Sequence, residues 1–317
     1  MRPIPHGGDF TGTFLDFSAS VSPLGVPAGV KRAILSAMGE LPRYPDPESR
    51  RLRAALARRH GRREGEILVT NGSTEAISLV FRALKPTRTG IFAPAYRDPE
   101  RAARQVGSEV YFLKPGSSVR GLGLVYLGSP NNPTGQVASR TPLSGPTTWL
   151  VDETFLDFSG GASLAEGRLK PNVLVLRSFT KFYSLPGLRL GYVVGPARLI
   201  ERLGAQAEPW SVNALAQAAG IACLKEGAYA RRLKALIRSE RARLSNGLKS
   251  LGFRVLPSQA NFLLVFRKDA RRILRKLERK GILLRDASDF PGLGQGWIRI
   301  AVRTKVENGL LLRALAR

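Results

Sequence analysis

The residues with the clearest chemical purpose lie between Ser178 and Tyr192, in the run SFTKFYSLPGLRLGY. One lysine, Lys181, stands in an apolar, turn-rich frame, and one arginine, Arg189, follows eight positions later. A lone lysine ordinarily reads as a solvated surface group. Inside an apolar run it is rare unless its amine has a task. An imine with the aldehyde of a phosphorylated cofactor is one such task, and the phosphate then needs a fixed cation nearby. Ser178 and Thr180 add hydroxyls, and Arg189 offers a forked cation that suits a phosphate.

Three other segments carry side chains that complement this pair. SPNNPTG (129–135) follows a buried-looking strand. It reads as a turn, and it also places Asn132 at the carboxyl end of a strand, where α/β sheets bind ligands. VDETFLDF (151–158) puts Asp152 at the end of another apolar strand. A carboxylate there can keep a ring nitrogen protonated and make the ring an electron sink, or simply cap the next helix. NGSTEAI (71–77) opens a helix after a strand. Its N–H groups, with the hydroxyls of Ser73 and Thr74, can cradle a phosphate, and an ordinary N-cap with Glu75 in the first turn is compatible with that.

The elements that must hold these residues follow from periodicity. EILVT, TGIFAP, EVYFL, GLGLVYLGS, TTWLVDE, NVLVLRSF and LRLGYVVG read as strands between residues 66 and 195. Several are continuously apolar, as in strands covered on both faces. With helices between them they predict an α/β domain with a mainly parallel sheet. The first 25 residues look irregular. Helical spacing covers Val26 to Leu41, Pro47 to His60, Ala197 to Leu203, Val212 to Leu251 and a basic stretch from Lys268 to Lys280. Short strands FRVLP, NFLLVF, ILLRD and WIRIAV among the later helices predict an α+β unit. The expected division is an arm and first helix (1–45) packing with the small domain, a large cofactor-binding domain (46–205) and a small C-terminal domain (206–317).

Composition narrows the chemistry. The chain has 317 residues, one cysteine and two histidines, so an internal disulfide and a multi-histidine metal centre are excluded. Cys223, in AQAAGIACLKEG, reads as a core thiol. No metal is expected. No apolar run reaches membrane-span length and MRPIPHGGDF lacks a signal-peptide core, so no membrane partner and a cytoplasmic location are expected. The formal net charge is +26. The basic residues interleave with Ala and Leu at helical spacing, without a nucleic-acid motif. They read as solvated helix faces whose field attracts anionic small substrates, and nucleic acid is not an expected partner.

SPNNPTG, VDETFLDF and SFTKFYSLPGLRLGY, in this order and spacing, resemble the aspartate-aminotransferase fold family of pyridoxal-phosphate enzymes over nearly the whole chain. The resemblance implies pyridoxal 5'-phosphate as cofactor and a homodimer with active sites at the subunit interface. It implies Lys181 as the imine lysine, Asp152 on the ring nitrogen and Asn132 on the ring oxygen. Ser73, Thr74, Ser178 and Arg189 would hold the phosphate, Tyr96 in APAYRD would stack on the ring, and Tyr44 in RYPDP would reach the neighbouring subunit's cofactor. Two departures stand out. Phe155 occupies a position where many members carry a tyrosine that bonds the ring oxygen, so the imine pKa should be tuned differently. The stretches from Lys114 to Leu124 and from Gln136 to Thr148 are short and lack helices common in the family.

HGGDF, LDFSASVSPLG, PWSVNALAQ and ILLRDASDFPGLGQGWIRIAVRT resemble the threonine-phosphate decarboxylases of cobalamin biosynthesis, which are close to histidinol-phosphate aminotransferases. Ser20 stands where such relatives often show asparagine. A substrate with a carboxylate and a phosphate suits Arg299 as a bidentate carboxylate clamp and Arg285 as a phosphate grip, with His6 and the Gly7-Gly8 backbone closing over it and Arg303 as a further phosphate candidate. Transamination of the histidinol-phosphate type is the second reading. A non-catalytic module that binds nucleic acid through its basic surface is the reading from a different class.

Overall fold

The computed structural model describes residues 7–9, 11–138, 143 and 145–316. Its largest sheet has seven strands in the order Ile67–Thr70, Gly191–Val194, Val173–Ser178, Thr148–Asp152, Leu124–Gly128, Arg88–Phe92, Glu109–Leu113. Gly191–Val194 runs antiparallel to both neighbours, and all other pairings are parallel. The expected mainly parallel sheet is therefore present.

The continuous apolar runs have a simple cause. Successive side chains in a strand face opposite sides. Leu150, Leu174, Leu176 and Val193 face a core shared with the helices Gly72–Leu84, Asp98–Gln105 and Ala197–Gly204. Trp149, Val151, Val173, Val175 and Val194 face a second core shared with the helix Arg50–His60. Both faces are covered, so neither set alternates with polar residues.

The helices Ala28–Ser36 and Ala214–Cys223 join this second core through Val30, Ala216, Ala219 and Cys223. The sequence reading grouped these helices with the smaller unit. Their small, apolar faces instead pack against each other and over the large sheet. The single helical stretch expected from Val212 to Leu251 is two helices, Ala214–Cys223 and Gly227–Ser250, because the chain leaves helical geometry at Glu226 (φ −86°, ψ 48°) just before a glycine. That glycine is a poor helix residue.

The smaller unit is a four-stranded antiparallel sheet in the order Arg285–Asp286, Trp297–Ala301, Phe262–Phe266, Arg254–Val255. Leu233, Ile237, Leu244 and Leu248 of the long helix pack on it, joined by Ile273, Leu277 and Leu311 of the helices Ala270–Arg279 and Lys305–Ala316. This core also takes Phe155, Phe158 and Phe182 from the cofactor motifs, so the two units meet through aromatic contacts.

The opening segment, read as irregular, forms the seam between the two units. Leu15 and Asp16 pair in parallel with Ile282 and Leu283. The Phe17 carbonyl accepts from the Ala301 N–H, and the Ser22 N–H donates to the Lys181 carbonyl at 2.8 Å. Its apolar residues, such as Phe17, are scattered among polar ones, and its backbone partners come from distant segments, so no periodicity marks it. No helix lies between Leu113 and Leu124, in line with the shortened connection expected there.

Candidate functional site

The carboxyl ends of the strands Thr148–Asp152, Leu124–Gly128 and Val173–Ser178 open into one cavity of about 310 Å³. Gly7, Ser73, Thr74, Tyr96, Asn132, Asp152, Lys181, Arg189, Arg285 and Arg299 all line it. Four motifs far apart in sequence thus converge, as ligand sites at strand ends do in open α/β sheets.

An anion cradle forms one end. The helix Gly72–Leu84 begins there with buried Gly72 and Ser73, and its first N–H groups have no intrahelical acceptor. Gly72 has φ +80°, and a Cβ on it would stand 2.9 Å from Arg189 Nη2. A Cβ on Gly191 would stand 3.0 Å from Ser73 N and from the Gly72 carbonyl carbon. Both glycines are therefore needed for the helix start to sit against the strand and for the guanidinium to lie over it. Arg189 itself has φ +57°, an uncommon conformation for a bulky residue, which aims its side chain at this cradle. Backbone donors and a guanidinium suit a phosphate group.

Lys181 lines the same cavity, half-buried. Desolvation pushes its amine below the ordinary lysine value. Asp152 opposes that shift, while Arg189 and Arg299 add to it. Asp152 is buried, and both of its carboxylate oxygens are held. Tyr126 donates its hydroxyl to Oδ2 at 2.7 Å and the Thr154 N–H donates to Oδ1 at 2.9 Å. These two hydrogen bonds fix the carboxylate in place, where it can accept a hydrogen bond from a protonated ring nitrogen.

The SPNNPTG turn is stapled by its first asparagine, which frees the second. Asn131 Nδ2 donates to the Pro94 carbonyl at 2.9 Å, and Asn131 Oδ1 accepts from the Thr134 N–H and hydroxyl. Asn132 Oδ1 accepts from Arg299 Nη1 at 2.6 Å, which leaves its amide nitrogen as a donor.

Arg299 comes from the strand Trp297–Ala301 and is buried. Its Nη2 donates to the Ser18 carbonyl at 2.8 Å, and its Nε is buried with no hydrogen-bond partner. No ion pair with a carboxylate forms at Arg299 among the described residues. Burial, reinforced by the charge of Arg285, pushes its pKa down to about 10. Arg285 differs, because Asp289 accepts from its Nη2 through both carboxylate oxygens, at 2.8 and 2.9 Å. Its guanidinium lies 5.1 Å from the Phe290 ring centroid.

Some expected site residues lie elsewhere. Ser178 is buried with its hydroxyl accepting from the Thr180 N–H at 3.2 Å, and it does not line the cavity. It closes the turn before Lys181, a job the neighbouring backbone demands. Arg303 points away. Its guanidinium donates to Glu307 and to the Asp16 carbonyl, because Glu307 opens the last helix four residues on. The Gly8 N–H donates to Ser18 Oγ, and Gly8 does not line the cavity. Tyr44 is 81% exposed and tilts against Trp210 with 4.7 Å between ring centroids. His6 lies outside the described residues. Tyr126 was missed, although a signal existed: a lone hydroxyl inside the apolar strand LVYLG must find a buried partner. Phe155 forms part of the wall and packs edge-on against Phe262 at 4.9 Å.

These features fit a class of enzyme, and comparison agrees. Residues 13–317 match the model of the family "aminotransferase class I and II", and the chain belongs to that family. Within it, the chain is 36% identical to the threonine-phosphate decarboxylase of Salmonella typhimurium, over 95% of this chain and 90% of that one. Among solved structures it is similar to the L-threonine-O-3-phosphate decarboxylase of Porphyromonas gingivalis (TM-score 0.87, 29% identity, 95% and 98% covered). It is similar also to the histidinol-phosphate aminotransferase of Clostridium acetobutylicum (TM-score 0.89, 27% identity, 95% and 97% covered).

Proposed function

We propose that this chain is a pyridoxal-phosphate-dependent decarboxylase of L-threonine O-3-phosphate, releasing carbon dioxide and aminopropanol phosphate for cobalamin biosynthesis. The observation that carries the reading is Arg299, a buried guanidinium with an unpartnered Nε and no paired carboxylate, in the same cavity as Lys181. A buried cation of this kind calls for an anionic ligand.

The cavity fits the cofactor. Lys181 would hold its aldehyde, Asp152 its ring nitrogen, Asn132 its ring oxygen, and Tyr96 its ring face. Arg189, Ser73 and the helix N–H groups would hold its phosphate. When bound, the cofactor supplies a protonated ring that takes up the electron pair released at the substrate α-carbon.

The rest is done by the chain. Arg299 binds the substrate carboxylate and Arg285 the substrate phosphate, and together they set which bond at the α-carbon stands perpendicular to the ring plane. With the carboxylate bond so placed, carbon dioxide would leave and the Lys181 ammonium or a water would return a proton to the α-carbon. The lowered pKa of Lys181 makes that ammonium a readier proton donor than an ordinary lysine.

The second reading is transamination of the histidinol-phosphate type, favoured by the TM-score of 0.89 to such an enzyme. Incubation with pyridoxal 5'-phosphate and L-threonine O-3-phosphate, without an amino acceptor, separates the two. Carbon dioxide release, abolished in Lys181→Ala, is the expected result. No release, with turnover of histidinol phosphate and 2-oxoglutarate, replaces it with the transferase.

A homodimer, and a location in the cytoplasm, belong to the same proposal. Leu35, Met38, Leu41, Tyr44 and Trp210 leave an exposed apolar surface, which a second copy would cover while Tyr44 reaches its cofactor phosphate. The single buried cysteine suits a reducing compartment.

A further inference from the structure

Asp98 is 2% exposed, begins the helix Asp98–Gln105, and is absent from the chemistry derived above. Its Oδ2 accepts from the Tyr96 hydroxyl at 2.6 Å and from Thr74 Oγ1 at 3.0 Å. Both donors line the cavity, one at the proposed ring face and one at the start of the anion cradle. Asp98 Oδ1 has no hydrogen-bond partner, and its nearest cation, Arg101 Nη2, is 3.6 Å away. A buried carboxylate is costly unless its donors compensate, so its two hydrogen bonds are strong and directional.

We propose that Asp98 is a positioning residue that ties the ring-stacking tyrosine to the phosphate cradle. This rests on the reading that the cavity holds pyridoxal 5'-phosphate. Two consequences follow from these hydrogen bonds. A threonine hydroxyl has one proton. Given to Asp98, it leaves Thr74 Oγ1 facing the cavity with lone pairs only, which a phosphate dianion repels. The phosphate is then held by the helix N–H groups, Ser73 and Arg189, and Thr74 contributes its backbone alone. The Tyr96 ring, anchored at its hydroxyl by a carboxylate on a rigid helix start, is held in one pose against the cofactor ring.

The test uses purified full-length protein titrated with pyridoxal 5'-phosphate. Affinity is followed by absorbance, and the pose of the bound chromophore by its visible circular dichroism. Asp98→Asn keeps the shape, and in place of the carboxylate it presents a neutral acceptor and an amide donor. The expected result is about tenfold weaker cofactor binding, the scale of one charged hydrogen bond, with a reduced visible dichroism band. In a Tyr96→Phe/Thr74→Val background, Asp98→Asn should add less than about twofold, because its partners are gone. An unchanged affinity and dichroism in Asp98→Asn, or the same tenfold loss in the double-variant background, overturns the proposal. Wild-type protein that takes up no chromophore overturns the underlying reading together with it. Wild type that loads normally beside an unaffected Asp98→Asn overturns the positioning role alone.

Discussion

Three arginines on neighbouring elements have three different fates. Among the described residues Arg303 is paired with Glu307, Arg285 with Asp289, and Arg299 with no carboxylate. In a chain with 50 lysines and arginines, residue type alone does not separate them. Burial does. A guanidinium held by a carbonyl and an amide oxygen keeps its positive charge available for a ligand, at the cost of desolvation. Replacing it removes the proposed carboxylate contact. For Arg299→Gln, kcat/KM toward L-threonine O-3-phosphate should fall about 100-fold, with the far-ultraviolet dichroism unchanged. Steady-state kinetics would refute this with a loss under about threefold.

At the scale of elements, the cradle depends on how closely the helix Gly72–Leu84 meets the strand Gly191–Val194. A methyl group on Gly191 would press on the helix's first backbone atoms at 3.0 Å, where nothing flexible can yield. Gly191→Ala should destabilise the fold by about 1–3 kcal/mol and weaken pyridoxal 5'-phosphate binding in the same variant. Urea unfolding and absorbance titration measure the two effects, and unchanged values for both contradict the packing argument. A second element carries a pH dependence. His60 closes the helix Arg50–His60 against the sheet, with its Nε2 2.9 Å from the Tyr192 hydroxyl. Burial, then the charges of Arg177 and Arg59, lower its pKa from 6.5 to about 4. The folded state therefore binds this proton less readily than the unfolded chain. The associated stability is complete above about pH 6.5 and is lost as pH falls toward 4, a change of about 3 kcal/mol. Urea midpoints at pH 7 and 4.5 should differ more for wild type than for His60→Gln. Equal differences would remove His60 as the cause.

For the whole molecule, the exposed run of Leu35, Met38, Leu41 and Tyr44 beside Trp210 is the surface that isolated solvation explains least. On the proposed dimer, Trp210→Glu places a charge in the interface. Light scattering should then report a monomer where wild type is a dimer, with weaker cofactor retention as Tyr44 withdraws from the partner site. A wild-type monomer that binds cofactor normally would contradict it.

Local patterns were enough to identify the strands of the large sheet, the three motifs and the lysine at their centre. Those features arise from short-range rules: apolar runs covered on both sides, turn residues, and side chains that chemistry places in fixed order. Only the folded chain separated Arg299 from Arg303, moved Ser178 off the cavity wall, and drew Tyr126 and Asp98 to the site. It also turned the opening segment from an irregular stretch into the seam joining the two units. The reason is physical. Whether a charged or hydroxyl group is spent on a neighbour or left for a ligand depends on partners distant in the chain. Burial and hydrogen-bond pairing are properties of assembled elements, and residue types along a sequence do not encode them one by one.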